Sequence, residues 1–283
     1  MIIPEDSSVR FQWLLLPEDI SHREAMKPSK VQFQVNAQGS PLIAYGGKLV
    51  VYLDKGIIMK ARQQIRGILA LSNGAIIMSD GKAMAYPVKG RFPDHGLPEL
   101  ILKPIADLPG TQCRVFAGED SAVFAACRNK KTGKDAVFRF DPGTRSFRKL
   151  FESHKRIVSV TGSKDRTFIA SGRMVEELRP GGVRIVYVHP RTDIESIQYS
   201  RPTGLIYTTA TGVGLVKHGK SIEFLQTIRP KVFLKGKDLY VFFWNVSGVA
   251  RIVNLDDLRR YGFTVNKVAG IESFFKEKEG RNE

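Results

Sequence analysis

Short apolar runs, each closed by a polar turn, recur along the chain from about residue 40 to residue 255. Ile68-Leu-Ala-Leu-Ser-Asn-Gly-Ala-Ile-Ile-Met78, followed by Ser79-Asp-Gly-Lys82, shows the unit: an apolar stretch, a turn, a second apolar stretch, a Gly turn, then an alternating stretch. Ile194 to Ile197, Leu205-Ile-Tyr-Thr208 and Thr211-Gly-Val-Gly-Leu-Val-Lys217 repeat it. β-Branched and aromatic residues, as in Lys237-Asp-Leu-Tyr-Val-Phe-Phe-Trp244, predict strands. Asn73-Gly74, Asp80-Gly81, Gly46-Gly47, Gly181-Gly182 and His218-Gly219 supply the positive φ that tight hairpins need. The inner apolar stretches centre near Ile43, Ile76, Val123, Phe168, Ile206 and Tyr240, at spacings of 33, 47, 45, 38 and 34 residues. A four-stranded blade needs ~40 residues. Small sheets of this kind bury their faces only against one another, so the pattern predicts an all-β fold: one β-propeller of about six four-stranded blades.

No Ser- or Pro-rich linker divides the 283 residues, and residues 1–283 read as one domain, with repeats over about 40–255 and flanking segments 1–39 and 256–283. Val9–Leu16 or Phe263–Val268 is available as the strand that closes the ring. Helical patterning is confined to Asp256–Tyr261 and Ile271–Lys278. The longest weakly patterned connection, Lys89 to Gly110, carries Pro at 93, 98, 104 and 109 and reads as an extended loop. A loop of that length suggests function.

Leu205-Ile-Tyr-Thr-Thr-Ala-Thr-Gly-Val-Gly-Leu-Val-Lys217 resembles the blade motif of regulator-type and related six- to eight-bladed propellers: apolar strand, Thr or Ser, Gly turn, Gly-Leu, then a basic residue. Ile77-Met-Ser-Asp-Gly-Lys82 and Ile169-Ala-Ser-Gly-Arg173 are weaker copies. The usual Trp of the second strand is absent, as are the WD40 signatures and the sialidase Asp-box. Lactone-hydrolysing propellers of this resemblance use carboxylates and Asn around a central calcium, and those ligands do not map onto this chain.

The formal charge of +16 changes the picture by pointing to anionic partners. Basic residues stand just ahead of successive strands: Arg66, Arg114, Lys155 with Arg156, Arg191, and Arg229 with Lys231. In a propeller such junctions recur on one face, so a repeat in sequence becomes a ring of positive charge, and guanidinium suits carboxylate or phosphate. Exposed polar linkers alone would also account for them. There is no basic tail and no nucleic-acid module, which makes nucleic acid the weaker partner. No stretch approaches the ~20 apolar residues of a membrane span, and the N-terminus lacks a signal-peptide pattern. As written the chain reads as cytoplasmic, or as an already processed export product.

Cys113 and Cys127 flank Gly118-Glu-Asp-Ser121 symmetrically. In a hairpin they would face each other with Cβ atoms ~4.5–5.5 Å apart, so a disulfide is feasible with small adjustment. Two reduced cysteines in a core hairpin fit equally. A bond would favour the envelope.

Motifs for chemistry are few. Gly214-Leu-Val-Lys-His-Gly-Lys-Ser221 satisfies the P-loop pattern, with Lys220 as its phosphate lysine and a helix from Ser221 to Ile228 as its requirement. The flanking hairpins argue for coincidence. The five histidines sit in polar, turn-like segments, no metal-ligand spacing occurs, and Gly-x-Ser-x-Gly is absent. Glu176-Glu177 and Asp256-Asp257 read as solvated pairs. No catalytic residue, metal or cofactor is implied. The reading is a non-catalytic binding or scaffold propeller whose basic face docks an acidic protein or envelope polymer, as a free module or as a subunit of a larger assembly. The alternatives are a metal-dependent, lactonase-like hydrolase and a nucleotide-binding protein.

Overall fold

The computed structural model describes residues 9–13, 31–243 and 248–255, apart from 48, 53–56, 90–96, 111, 218–219 and 253. The two helical expectations near the C-terminus and the candidate strand Phe263–Val268 lie outside these residues. The described residues form an all-β propeller of antiparallel four-stranded units. Blade 1 holds β2 (Val31–Val35), β3 (Pro41–Tyr45), β4 (Leu49–Tyr52) and β5 (Ile57–Ala61). Blade 2 holds β6 (Gly67–Ala70), β7 (Ile76–Ser79), β8 (Ala83–Lys89) and β9 (Glu99–Asp107). Blade 3 is β10 (Cys113–Ala117), β11 (Val123–Arg128), β12 (Asp135–Asp141) and β13 (Ser146–Ser153). Blade 4 is β14 (Ser159–Gly162), β15 (Thr167–Ser171), β16 (Met174–Arg179) and β17 (Gly182–Val188). Blade 5 is β18 (Ile194–Ser200), β19 (Gly204–Thr209), β20 (Gly212–Lys217) and β21 (Lys220–Gln226). The last blade combines β22 (Lys231–Lys235), β23 (Asp238–Phe243) and β24 (Gly248–Ile252) with the N-terminal β1 (Val9–Trp13). Val9 lies opposite Ile252 and Trp13 opposite Gly248, so the Val9–Leu16 candidate supplies the closing strand.

The described residues make five hydrogen-bonded sheets, because a two-residue parallel pairing of Lys60 with Glu99 and Ala61 with Leu100 joins blades 1 and 2 into eight strands. The core nevertheless divides into six apolar wedges, one between each pair of neighbouring blades. Ile43, Tyr45 and Phe242 join the last blade to the first, and Phe124, Val137 and Ile169 join blades 3 and 4. Each sheet therefore buries both faces, which is why its second strand reads as an unbroken apolar run.

That effect corrects one expectation. The stretches around Ile43, Ile76, Val123, Phe168, Ile206 and Tyr240 are the second strands, β3, β7, β11, β15, β19 and β23. The innermost strands are β2, β6, β10, β14, β18 and β22, each packed against the next around the axis. β2 and β22 alternate between buried and half-buried positions, one side facing the channel, while β6 and β14 are buried throughout. The Lys89–Gly110 loop is also corrected. β8 and β9 form a hairpin there, and Pro104 is accommodated opposite Ala85, where the register slips by one residue.

Side chains lace the inner strands together. The Gln34 carbonyl accepts from Ala70 N–H at 3.3 Å, tying β2 to β6. Arg114 donates to the carbonyls of Ile157 and Val158 beside β14. Ser159 and Thr161 hydroxyls accept from Ile197 and Tyr199 N–H, both at 3.2 Å, so β14 and β18 advance in the same direction. Gln198 donates to Val232 O at 2.6 Å and accepts from Leu234 N–H at 2.5 Å. Lys235 donates to the carbonyls of Asn36 and Ala37, closing the circle onto blade 1. At the remaining junction β6 meets β10 by close approach: a Cβ at Gly67 would stand 2.4 Å from Val115 Cγ2. Gly67→Ala is therefore expected to destabilise the protein by about 1–3 kcal/mol through overpacking; equilibrium unfolding in urea with an unchanged slope checks it.

Two readings of polar residues also change. Glu176 and Glu177 are buried at 5% exposure, not solvated. Glu176 meets Lys155 Nζ at 3.4 Å, and Glu177 is held by Arg166, Arg179 and Arg184 at 2.7–2.9 Å. Charges placed in a blade need partners; Arg179 and Arg184 come from the same hairpin as Glu177, Arg166 from the turn before β15, and Lys155 from 21 residues before Glu176. His189 is buried too: its Nδ1 accepts from the main-chain N–H of Arg191 and Thr192, and its Nε2 lies 2.7 Å from Glu223 Oε1. It fixes a turn between blades 4 and 5.

Candidate functional site

The inner strands surround a channel of about 670 Å³. Because these strands run in parallel, their first residues gather at one end, where Gln32, Arg66, Arg114, Glu195 and Lys231 line it. At the opposite end stand Asn36, Ser72, Glu119, Asp120 and Lys235. A second cavity of about 790 Å³ opens at the first end, beside blades 1 to 3. Gln32, Arg66 and Arg114 line both cavities, so the two are adjacent.

The sequence-derived cations divide into two groups here. Arg66 lies exposed at the head of β6, its stem packed over Gly81. Arg114 is the second residue of β10, and Arg156 lies in the segment leading to β14; with Arg66 they line the second cavity. Lys231 opens β22 and is half-buried in the channel. Lys155 is drawn away to Glu176, and Arg229 turns to Glu195 with Nε 3.8 Å from Oε1. Arg191 lines neither cavity. The positive charge is thus gathered on one arc of the mouth rather than spread round a ring, and Gln32 on β2 and Val158 just ahead of β14 line the channel where β10 and β22 bring cations.

Cys113 and Cys127 face each other in the β10–β11 ladder and are joined, with S–S 2.04 Å. The same register puts Arg128 at the head of β10, where its N–H donates to Gln112 O at 3.2 Å, and opposite Asp135. Both Arg128 and Asp135 line the second cavity, and neither was singled out from sequence. The signal was present: once the two cysteines are opposed, the next residue must share the mouth with Arg114.

Burial lowers the basicity of Arg114, the neighbouring Arg156 lowers it further, and Asp135 opposes both. Burial likewise holds the Lys231 ammonium below the ordinary lysine value; Glu195 pulls it back up and Arg229 pushes it down. A lysine of this kind carries more neutral amine at a given pH than an exposed one.

Calcium takes six to eight oxygen ligands, and the site does not offer them. Among the described residues no three His, Cys, Asp or Glu side chains converge. Glu195 faces Arg229, while Glu119 and Asp120 at the far end face Arg201 at 3.7 and 3.2 Å. The Asn36 side-chain oxygen is taken by the N–H groups of Gln38 and Ser40.

The P-loop match is also resolved by geometry. Lys220–Gln226 is strand β21, paired antiparallel with β20, where a phosphate loop would need a helix after Ser221. Positions 218 and 219 lie outside the described residues. Among the described residues no helix is long and apolar enough to cross a membrane.

No protein-family model and no curated protein matches this chain. Solved structures do. A luciferin-regenerating enzyme is similar at TM-score 0.57 and 11% identity, covering 80% of this chain and 92% of its own. A gluconolactonase from Xanthomonas campestris is similar at TM-score 0.55 and 11% identity, covering 81% and 88%. Regucalcin from Agrobacterium tumefaciens, a calcium-binding protein, is similar at TM-score 0.54 and 10% identity, covering 81% and 92%. At such identities the likeness carries the propeller fold. It also corrects the expectation of a non-catalytic scaffold docking an acidic protein or envelope polymer, because the similar propellers include enzymes.

Proposed function

We propose that the chain is a small-molecule hydrolase of the lactone-opening kind, with its substrate entering the central channel at the cationic end. The observation that carries this reading is Lys231, an amine of lowered basicity standing in a channel whose mouth is lined by guanidinium groups. The gluconolactonase named among the similar structures supports the class of reaction.

In this reading Lys231 acts as general base. Its neutral amine takes a proton from water, and the water oxygen bonds to the lactone carbonyl carbon. The tetrahedral oxyanion is stabilised by the cations at the mouth, for which fixed donors in a poorly solvated site are effective. The ring C–O bond then breaks, the ring oxygen takes the proton back from the Lys231 ammonium, and a hydroxy acid leaves. Atoms balance as lactone plus water. The residues do not fit the calcium of the resembling lactonases, and no step is routed through a metal.

The test is acid release from a panel of γ- and δ-lactones followed by pH-stat titration. Opening of at least one member well above the buffer rate is expected; a folded protein that opens none of them contradicts the reading. Rate should climb with pH on a limb below the ordinary lysine value, because only the deprotonated amine is competent.

A further inference from the structure

The second cavity differs from the channel in what lines it. Four guanidinium groups, those of Arg66, Arg114, Arg128 and Arg156, share it with one carboxylate, that of Asp135. That carboxylate is already engaged. Asp135 is only 4% exposed, its Oδ2 accepts the Ile157 N–H at 2.8 Å, and its Oδ1 faces Arg128 Nη1 at 3.6 Å. Among the described residues Arg66, Arg114 and Arg156 have no carboxylate within ion-pair distance. Arg114 is held in place by two main-chain carbonyls, so its guanidinium is oriented before anything binds. Gln64 and Gln112 add amide groups to the wall.

Like charges gathered in a concavity repel one another and focus potential on whatever neutralises them. Guanidinium groups present paired N–H donors that match the oxygens of carboxylate and phosphate. We infer that this cavity is a receptor for a small oxyanion, and that the substrate of the channel carries such a group, carboxylate or phosphate, which docks here while its ester bond reaches toward Lys231. The last clause rests on the proposed hydrolase reading; the anion site itself does not. The same lining repels a divalent cation, in keeping with the missing calcium ligands.

The experiment is isothermal titration of the whole chain with inorganic phosphate and, separately, with succinate, at low ionic strength. Calcium chloride alone is a third titrant. Saturable binding of one or both anions is expected, and the tighter of the two tells which group the substrate carries. Arg156→Ala should weaken it at least ~10-fold, the scale of one lost charge-assisted contact. Arg191→Ala, which lines neither cavity, should leave it unchanged. Binding should weaken as salt rises past ~0.1 M, where the screening length falls to ~10 Å. No anion binding by the folded protein, an equal loss in Arg191→Ala, or saturable calcium binding displaced by neither anion overturns the inference. Hydrolysis of neutral lactones without anion binding would remove this site and leave the hydrolase reading standing. Anion binding with no hydrolysis would do the reverse.

Discussion

Lys231→Met is expected to slow lactone opening by about 10²–10⁴-fold, the contribution typical of a positioned general base, while the protein stays folded. The folded state should also become more stable at neutral pH, by about 1 kcal/mol, as when a buried charge gives way to an apolar side chain of similar volume. The sign follows from the lowered basicity of Lys231. The folded protein binds this proton less readily than the unfolded chain, so the charged amine costs stability at pH values below its folded pKa. That cost fades as pH rises from the folded value towards the ordinary lysine value. A variant that loses activity and gains stability together separates the chemical role from a structural one. A merely structural lysine would show the opposite: lost stability with activity falling in proportion. Stopped pH-stat assays paired with urea unfolding measure both.

Gln198→Leu is expected to cost about 2–5 kcal/mol, among the largest losses available from a half-buried position. Its amide donates to Val232 O and accepts from Leu234 N–H, so one side chain satisfies two main-chain groups on the neighbouring inner strand. Leucine fills similar space but leaves both groups without partners, and each buried orphan costs about 1–3 kcal/mol. β22 is the strand that carries Lys231, so the loss should loosen the cationic end of the channel as well. Ser159→Ala, on β14, removes one acceptor from Ile197 N–H and should cost about half as much. Thermal unfolding should show a drop of several degrees for Gln198→Leu, at ~2–4 °C per kcal/mol for a chain of this size class. A change within ~0.5 kcal/mol would mean that the lacing is incidental and that the apolar wedges alone hold the ring.

The contrast between these two residues bears on what the sequence could reveal. The repeat was legible because every blade buries both faces, which writes its second strand as an apolar run: Ile43, Phe168 and Ile206 were visible for that reason. The inner strands were harder to identify, since Gln32, Gln34, Gln198 and Lys235 break their apolar pattern. Those polar residues are there to hold the next strand, and a hydrogen bond to a main-chain group 36 residues away leaves no local mark. The P-loop match is the opposite case: the flanking hairpins already marked it as coincidence, and Lys220–Gln226 is a strand rather than the helix such a loop needs.

For the site, the position of cations ahead of successive strands drew attention to Arg66, Arg114, Arg156 and Lys231, which line the channel or the cavity beside it. It could not tell them from Lys155 and Arg229, which carboxylates draw aside. Arg128 and Asp135 were missed because their position depends on hairpin register rather than on a repeat, although the Cys113–Cys127 pairing carried that register.

The most direct test of a metal-free hydrolase in this channel is lactone turnover by the wild-type chain before and after exhaustive chelation, with calcium then restored. Turnover that survives chelation unchanged and vanishes in Lys231→Met is the predicted result. Turnover that disappears with chelation and returns with calcium would contradict the account, because it would demand a metal centre that the described residues do not provide.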